Sequence, residues 1–173
     1  MQPRARTIPG TTLIATVYQE GPGIRRWLEA LAAQTATPEE CIVVDGESTD
    51  DTVLQITSFP WPADFPKPQV IVARCNIAAG RNIAIRHTAQ PVIISSDAGS
   101  LPEPVWFEKI VAPFLRDPEI DVVAGESTFV LPRVTVEFLL RVCRVAVRIE
   151  VGARIPYQNA KPRLMNGVCK STE

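Results

Sequence analysis

Two carboxylates, Asp45 and Asp97, stand where a short apolar run gives way to a polar turn, a place from which an acidic group can meet a ligand. Cys41 to Val44 is apolar without alternation, as in a parallel strand covered on both faces, and Asp45-Gly46-Glu47-Ser48-Thr49-Asp50-Asp51 leads from it into a helix. Pro91 to Ser96 repeats the pattern and ends on Asp97-Ala98-Gly99-Ser100. Ligands of open α/β sheets bind outside such strand ends. At Asp45 a carboxylate could accept a hydrogen bond from a base N–H or a ribose hydroxyl. It could equally shape the turn, and Asp50 and Asp51 read as helix caps. Arg81, in Gly80-Arg81-Asn82 at a helix start, offers a guanidinium for phosphates or a base carbonyl; a solvated surface arginine is the competing reading. Tyr18 ends a further strand just before Glu20, where its ring could stack on a base or fill the core.

The elements that must position these residues alternate. The patterns predict strands near 12–18, 41–45, 69–73, 92–96 and 121–124, with helices over 24–34, 51–58, 80–87 and 104–116. Such alternation implies an α/β fold with a mostly parallel sheet flanked by helices. Phe59 to Pro68 is a proline-rich break expected on the surface, and Pro104 is expected at a helix start.

In order and spacing, the segments Thr12 to Gly21, Val43 to Thr52, Ala78 to Asn82 and Pro91 to Ser100 resemble the nucleotide-binding half of family 2 glycosyltransferases of the GT-A fold. The resemblance covers roughly residues 10 to 126. It implies a Rossmann-like domain that transfers a sugar from a nucleoside-diphosphate donor to a glycan or lipid-linked acceptor. It also implies that Asp45 contacts the nucleoside, that Tyr18 and Glu20 lie near the base with a backbone contact from Thr16, and that Arg81 and Asp97 complete the donor site. The usual Asn-Glu pair is Gln19-Glu20 here. The usual Asp-x-Asp is Asp97-Ala98-Gly99, so a divalent cation, Mg²⁺ or Mn²⁺, would find Asp97 without a second carboxylate at Gly99, and Asp97 could touch the ribose or a metal-bound water instead.

Inverting sugar transfer needs a general base, and no Glu-Asp-type segment follows residue 126. The expected organisation is therefore a nucleotide-sugar-binding domain over 1–132 and a helical basic tail over 133–173, an incomplete acceptor region of a truncated transferase. A non-catalytic nucleotide-sugar-binding remnant is the alternative. A dinucleotide dehydrogenase is disfavoured because Gly21-Pro22-Gly23 is no G-x-G-x-x-G, and a serine hydrolase because Gly46-Glu47-Ser48 lacks the closing glycine of a nucleophile elbow.

Charge is distributed unevenly over the 173 residues: −6 over 1–132 and +5 over 133–173. An acidic front argues against nucleic acid as a partner, since such binding neutralises phosphates with basic surface. Cys41, Cys75, Cys143 and Cys169 form no C-x-x-C pair and read as reduced thiols, which favours the cytoplasm. Val134 to Ile149 is read as an amphipathic helix with Arg141, Arg144 and Arg148 on one face, either a solvated face or a contact with the inner surface of the membrane.

Overall fold

Consecutive apolar residues on each strand face opposite sides of one sheet, and helices cover both sides. The computed structural model describes residues 5–125 and 144–148. The strands are β1 (Arg6–Val17), β2 (Ala36–Asp45), β3 (Gln69–Val72), β4 (Val92–Ser95), β5 (Val122–Gly125) and β6 (Arg144–Arg148). The helices are α1 (Ile24–Ala32), preceded by a 3-10 turn at Gly21–Gly23, α2 (Thr52–Ser58), α3 (Ile77–His87) and α4 (Trp106–Arg116). Leu13, Ala15, Val17, Val43 and Ile94 pack with Trp27, Leu28 and Phe107 in the larger core. Ile14, Ile42, Val44 and Ile93 face the other way, where Ala84 of α3 closes a smaller one.

The strand order is β3-β2-β1-β4-β6-β5. β1 pairs in parallel with both β2 and β4, and β2 with β3, so the mostly parallel α/β sheet expected from the sequence is present. After β3 the chain crosses back to place β4 on the far side of β1, and the order reverses there. That reversal makes the carboxyl end of β1 the point where a ligand crevice opens. Val17, Asp45 and Val72 are level in the register, so the strand ends form one edge.

Four expectations need correction. α3 starts at Ile77 rather than at residue 80, because Asn76 caps it, so Arg81 lies in its second turn and not at a helix start. β1 and β2 start at Arg6 and Ala36, because Arg6 to Ile8 pairs with Ala36 to Pro38 across an irregularity at Gly10, whose φ of +73° a glycine adopts freely. α4 starts at Trp106, with Pro104 in the preceding turn, where its carbonyl accepts from the Thr35 N–H at 2.8 Å. Arg144–Arg148 is not helical but a strand, β6, antiparallel to both β4 and β5. The remainder of the expected basic helix, including Arg141, and the boundary at residue 132 lie outside the described residues. Phe59 to Pro68 is a loop as expected, yet it buries Phe65 beneath a stacked Trp61, ring centroids 4.6 Å apart. Among the described residues no helix is long and apolar enough to cross a membrane.

Candidate functional site

Asp45, the last residue of β2, is wholly buried. A buried carboxylate must find donors, and both oxygens find them in Ser48: Oδ2 accepts from its backbone N–H at 2.8 Å and Oδ1 from its hydroxyl at 2.6 Å. Ser48 Oγ in turn accepts from the Gln19 N–H at 2.8 Å. Gln19 has a φ of 54°, the left-handed region that a residue with a Cβ occupies at a cost, and this bond helps to hold it there. The turn at Gln19 swings Tyr18 and Glu20 to the mouth of the sheet.

Gly21 and Glu20 stitch the loop after β1 further to the loop after β2. Asp50 Oδ2 accepts from the Gly21 N–H at 2.9 Å while its Oδ1 accepts from Thr52 N–H at 3.1 Å. Thr52 Oγ1 accepts from the Glu20 N–H at 3.0 Å. Asp51 occupies the N-cap position of α2 but makes no capping bond with its side chain; Asp50 serves the helix instead. These bonds, led by Thr52, hold the Asp50 carboxyl below its usual range.

A cleft of about 480 Å³ opens beside this edge, with Thr16, Tyr18 and Glu20 on one wall and Cys75, Asn76 and Ile77 on the other. The Tyr18 ring lies against Gly46, where an added Cβ would come within 3.2 Å of it, and remains 58% exposed. Asn76 caps α3, its Oδ1 accepting from the Ala79 N–H at 2.9 Å, so its amide is committed to the helix. Burial first, and then the charges of Asp50 and Asp97, raise the Glu20 carboxyl above its usual value. Glu20 thus contributes stability that is full below the unfolded-state value and lost as pH rises through the raised folded one. Glu20→Gln is expected to be more stable than the native chain at pH 7 and equal to it well below the ordinary glutamate range. Melting temperatures across pH test this, and a pH-independent difference would refute it.

Gly80 lets α3 approach β1. A Cβ there would sit 2.5 Å from Thr16 Cγ2 and 2.9 Å from its Oγ1. Overpacking of about 1–3 kcal/mol outweighs the gain of about 1 kcal/mol in helix propensity, so Gly80→Ala should destabilise by roughly 1 kcal/mol. Chemical denaturation measures it. The same change in a Thr16→Ser background, lacking Cγ2, should be tolerated, and equal losses in both backgrounds would contradict the steric account.

Arg81, one residue on, reaches across the end of β1 and donates from Nη2 to Asp97 Oδ1 at 2.6 Å. Both side chains remain partly exposed, at 40% and 51%. Asp97 follows β4 in a turn closed by Ser100, whose hydroxyl donates to the Asp97 carbonyl at 2.6 Å. The structure therefore brings Thr16, Tyr18 and Glu20 to the cleft, joins Arg81 to Asp97, and sets Asp45 beneath the edge. The roles of Ser48 and the Cys75–Ile77 wall, and the bond from the Gly21 N–H to Asp50, escaped the sequence reading, whereas Asp50 caps α2 as expected. The Asp45-x-x-Ser48 spacing, that of a side-chain cap on the N–H three residues on, and Asn76 three residues before Ala79 were the available signals.

The sequence model of glycosyl transferase family 2 matches residues 12–134, which include every one of these positions. The chain belongs to glycosyl transferase family 2. Glycosyltransferase AglE of Haloferax volcanii is 27% identical to this family 2 chain over 128 residues, 73% of the chain and 42% of the relative. The chain thus spans about two-fifths of the length of that curated relative. Among solved structures, the mannosyltransferase PcManGT from Pyrobaculum calidifontis in complex with GDP-Man and Mn²⁺ matches 66% of the chain and 34% of its own, at 25% identity and a TM-score of 0.54. Glucosyl-3-phosphoglycerate synthase from Mycobacterium tuberculosis in complex with UDP matches 80% and 56%, at 18% identity and a TM-score of 0.57. The fold is GT-A, as in these glycosyltransferases.

Proposed function

We propose that this family 2 domain binds a nucleoside-diphosphate sugar at the carboxyl end of β1 and serves its transfer to a glycan or lipid-linked acceptor. The observation that carries this reading is the convergence, at the point where strand order reverses, of a base-sized cleft with a guanidinium–carboxylate pair. In this reading the base enters between Tyr18 and Ile77, both largely exposed, and Thr16 and Glu20 supply polar contacts around it. Arg81 pairs with the diphosphate, for which its planar fork of donors is suited. Asp45 acts chiefly through Ser48, fixing Gln19 and hence the direction of Tyr18; the direct nucleoside contact expected from the family resemblance would require its buried carboxylate, bonded through both oxygens to Ser48, to be uncovered.

A divalent cation fits this donor set only as an ion shared with the substrate. Among the described residues no three His, Cys, Asp or Glu side chains group to hold a metal. Asp97 offers one carboxylate, and at Gly99 an added Cβ would meet no atom within 4 Å. One carboxylate plus substrate phosphates is nonetheless a usual ligand set for Mg²⁺. Bound there, such an ion would neutralise charge on the leaving diphosphate. PcManGT with GDP-Man and Mn²⁺ supports that expectation. Glu126, Glu137 and Glu150, the remaining candidates for a general base, lie outside the described residues.

Isothermal titration of the full chain with UDP, GDP, ADP and orthophosphate tests the reading. UDP or GDP should bind, and inorganic phosphate should bind far more weakly. Equal affinity for all four, or for none, would remove the nucleotide-sugar assignment.

A further inference from the structure

We propose that Gln19 is a positioning residue for donor binding: from a strained backbone, its side-chain amide ties the Tyr18 hydroxyl to the loop after β2 and so holds the Tyr18 ring as a preformed wall of the base cleft. The inference rests on the donor reading above and adds to it that affinity is gained here at the expense of folding stability.

Among the described residues only Gln19 and Glu47 carry a side chain at positive φ, 54° and 64°. They stand on the two loops that meet at the carboxyl edge, and Ser48 joins them: it follows Glu47 and accepts from the Gln19 N–H at 2.8 Å. Backbone of this kind persists only where its surroundings over-determine it, and such places cluster at ligand sites. A glycine at position 19 would hold the same turn without the steric cost. What glycine lacks is the amide. Gln19 Nε2 donates to Thr49 Oγ1 at 3.2 Å and to Tyr18 Oη at 3.4 Å, so its two hydrogens bridge the loop after β2 to the ring. The second bond is long and would hold little alone. The ring also rests against Gly46, which allows the close approach because it has no Cβ; one there would come within 3.2 Å of the ring. Held as an acceptor, the Tyr18 hydroxyl keeps its own hydrogen for an oxygen of the ligand. The residue is 58% exposed, so without this tether its ring would sample several rotamers, and an arriving nucleotide would have to order it.

Three measurements on the full chain test this: urea unfolding, calorimetric titration with UDP and GDP, and fluorine NMR of protein labelled with 3-fluorotyrosine. Tyr18 and Tyr157 are the only tyrosines, and Tyr18→Phe assigns the first resonance. Gln19→Gly should unfold at a urea concentration equal to or above the native one, because the left-handed backbone loses its steric cost. It should nevertheless bind nucleotide about 2- to 12-fold more weakly, the usual effect of having to order one side chain on binding. Its Tyr18 resonance, recorded without nucleotide, should move towards the position of free fluorotyrosine. Gln19→Ala, which keeps the strain and loses the amide, should also bind more weakly, and should lose less in a Tyr18→Phe background, where the tether is already gone. Native affinity or a clearly lowered urea midpoint in Gln19→Gly, additive losses in the double variant, or an unmoved Tyr18 resonance overturns the proposal. If the native chain binds neither UDP nor GDP, the donor reading fails and the role in binding with it. An unmoved resonance in a chain that does bind nucleotide removes the tether alone.

Discussion

Replacing Trp27 by alanine should cost about 3–5 kcal/mol of folding stability, the usual range for deleting a buried tryptophan. Trp27 lies on α1 with no exposed surface, at the centre of the larger core, and its indole Nε1–H donates to Ser96 Oγ at 3.1 Å. Ser96 immediately precedes Asp97 and is itself buried, its backbone N–H donating to the Ile14 carbonyl. The substitution thus removes packing from the core and a fixed partner from the residue behind the donor site. Against a typical total of 5–15 kcal/mol, the loss is a large share. Urea midpoints at unchanged slope measure it. Trp27→Phe loses the donor but keeps most of the buried volume, so it should cost clearly less. A loss below about 1 kcal/mol for the alanine variant would mean that α1 is not packed as described.

The second large effect belongs to Asp45→Ala. It leaves the Ser48 N–H without its acceptor and frees the Ser48 hydroxyl, and bonds of this kind to a charged acceptor are worth about 1.5–3 kcal/mol. Part of that is returned because a buried charge no longer has to be kept from water, so about 2 kcal/mol is the expected net cost. Asp45→Asn, able to accept but not twice, should fall between. Because Ser48 also holds Gln19 in its left-handed conformation, nucleotide affinity should fall along with stability. A double-mutant cycle with Ser48→Ala separates the pair: residues in direct contact should couple by at least about 0.5 kcal/mol. Additive losses would show that Asp45 and Ser48 do not act together.

The sheet was legible because its strands are short apolar runs bounded by turn residues, and Val43-Val44-Asp45 and Ile94-Ser95-Ser96-Asp97 marked its functional edge. The extension of β1 was not, because Arg6-Thr7-Ile8 is polar and becomes a strand through pairing with Ala36 to Pro38. The same limit explains β6. Arg144-Val145-Ala146-Val147-Arg148 alternates with a period of two, yet arginines spaced by three and four suggested a helix, and the neighbours β4 and β5 settle the outcome. Within the site, Asp45 and Ser48 are three residues apart and could be read as a turn. Arg81 and Asp97 are separated by a helix and a strand, and nothing local announces their contact.

The place of β6 also bears on how the chain is made. β4 pairs with β1 on one side and with β6 on the other, and β5 reaches the sheet through β6. During synthesis the three parallel strands β1, β2 and β3 can assemble early, but one edge of β4 stays open until Arg144 to Arg148 has left the ribosome, some fifty residues later. Over that interval Val92-Ile93-Ile94 presents an apolar row with unpaired backbone groups, the kind of edge that recruits strands from other chains. Soluble yield should therefore depend on how quickly the segment between β5 and β6 is translated, and a pause there would expose a nascent chain whose donor site is nearly formed while its sheet is still unclosed.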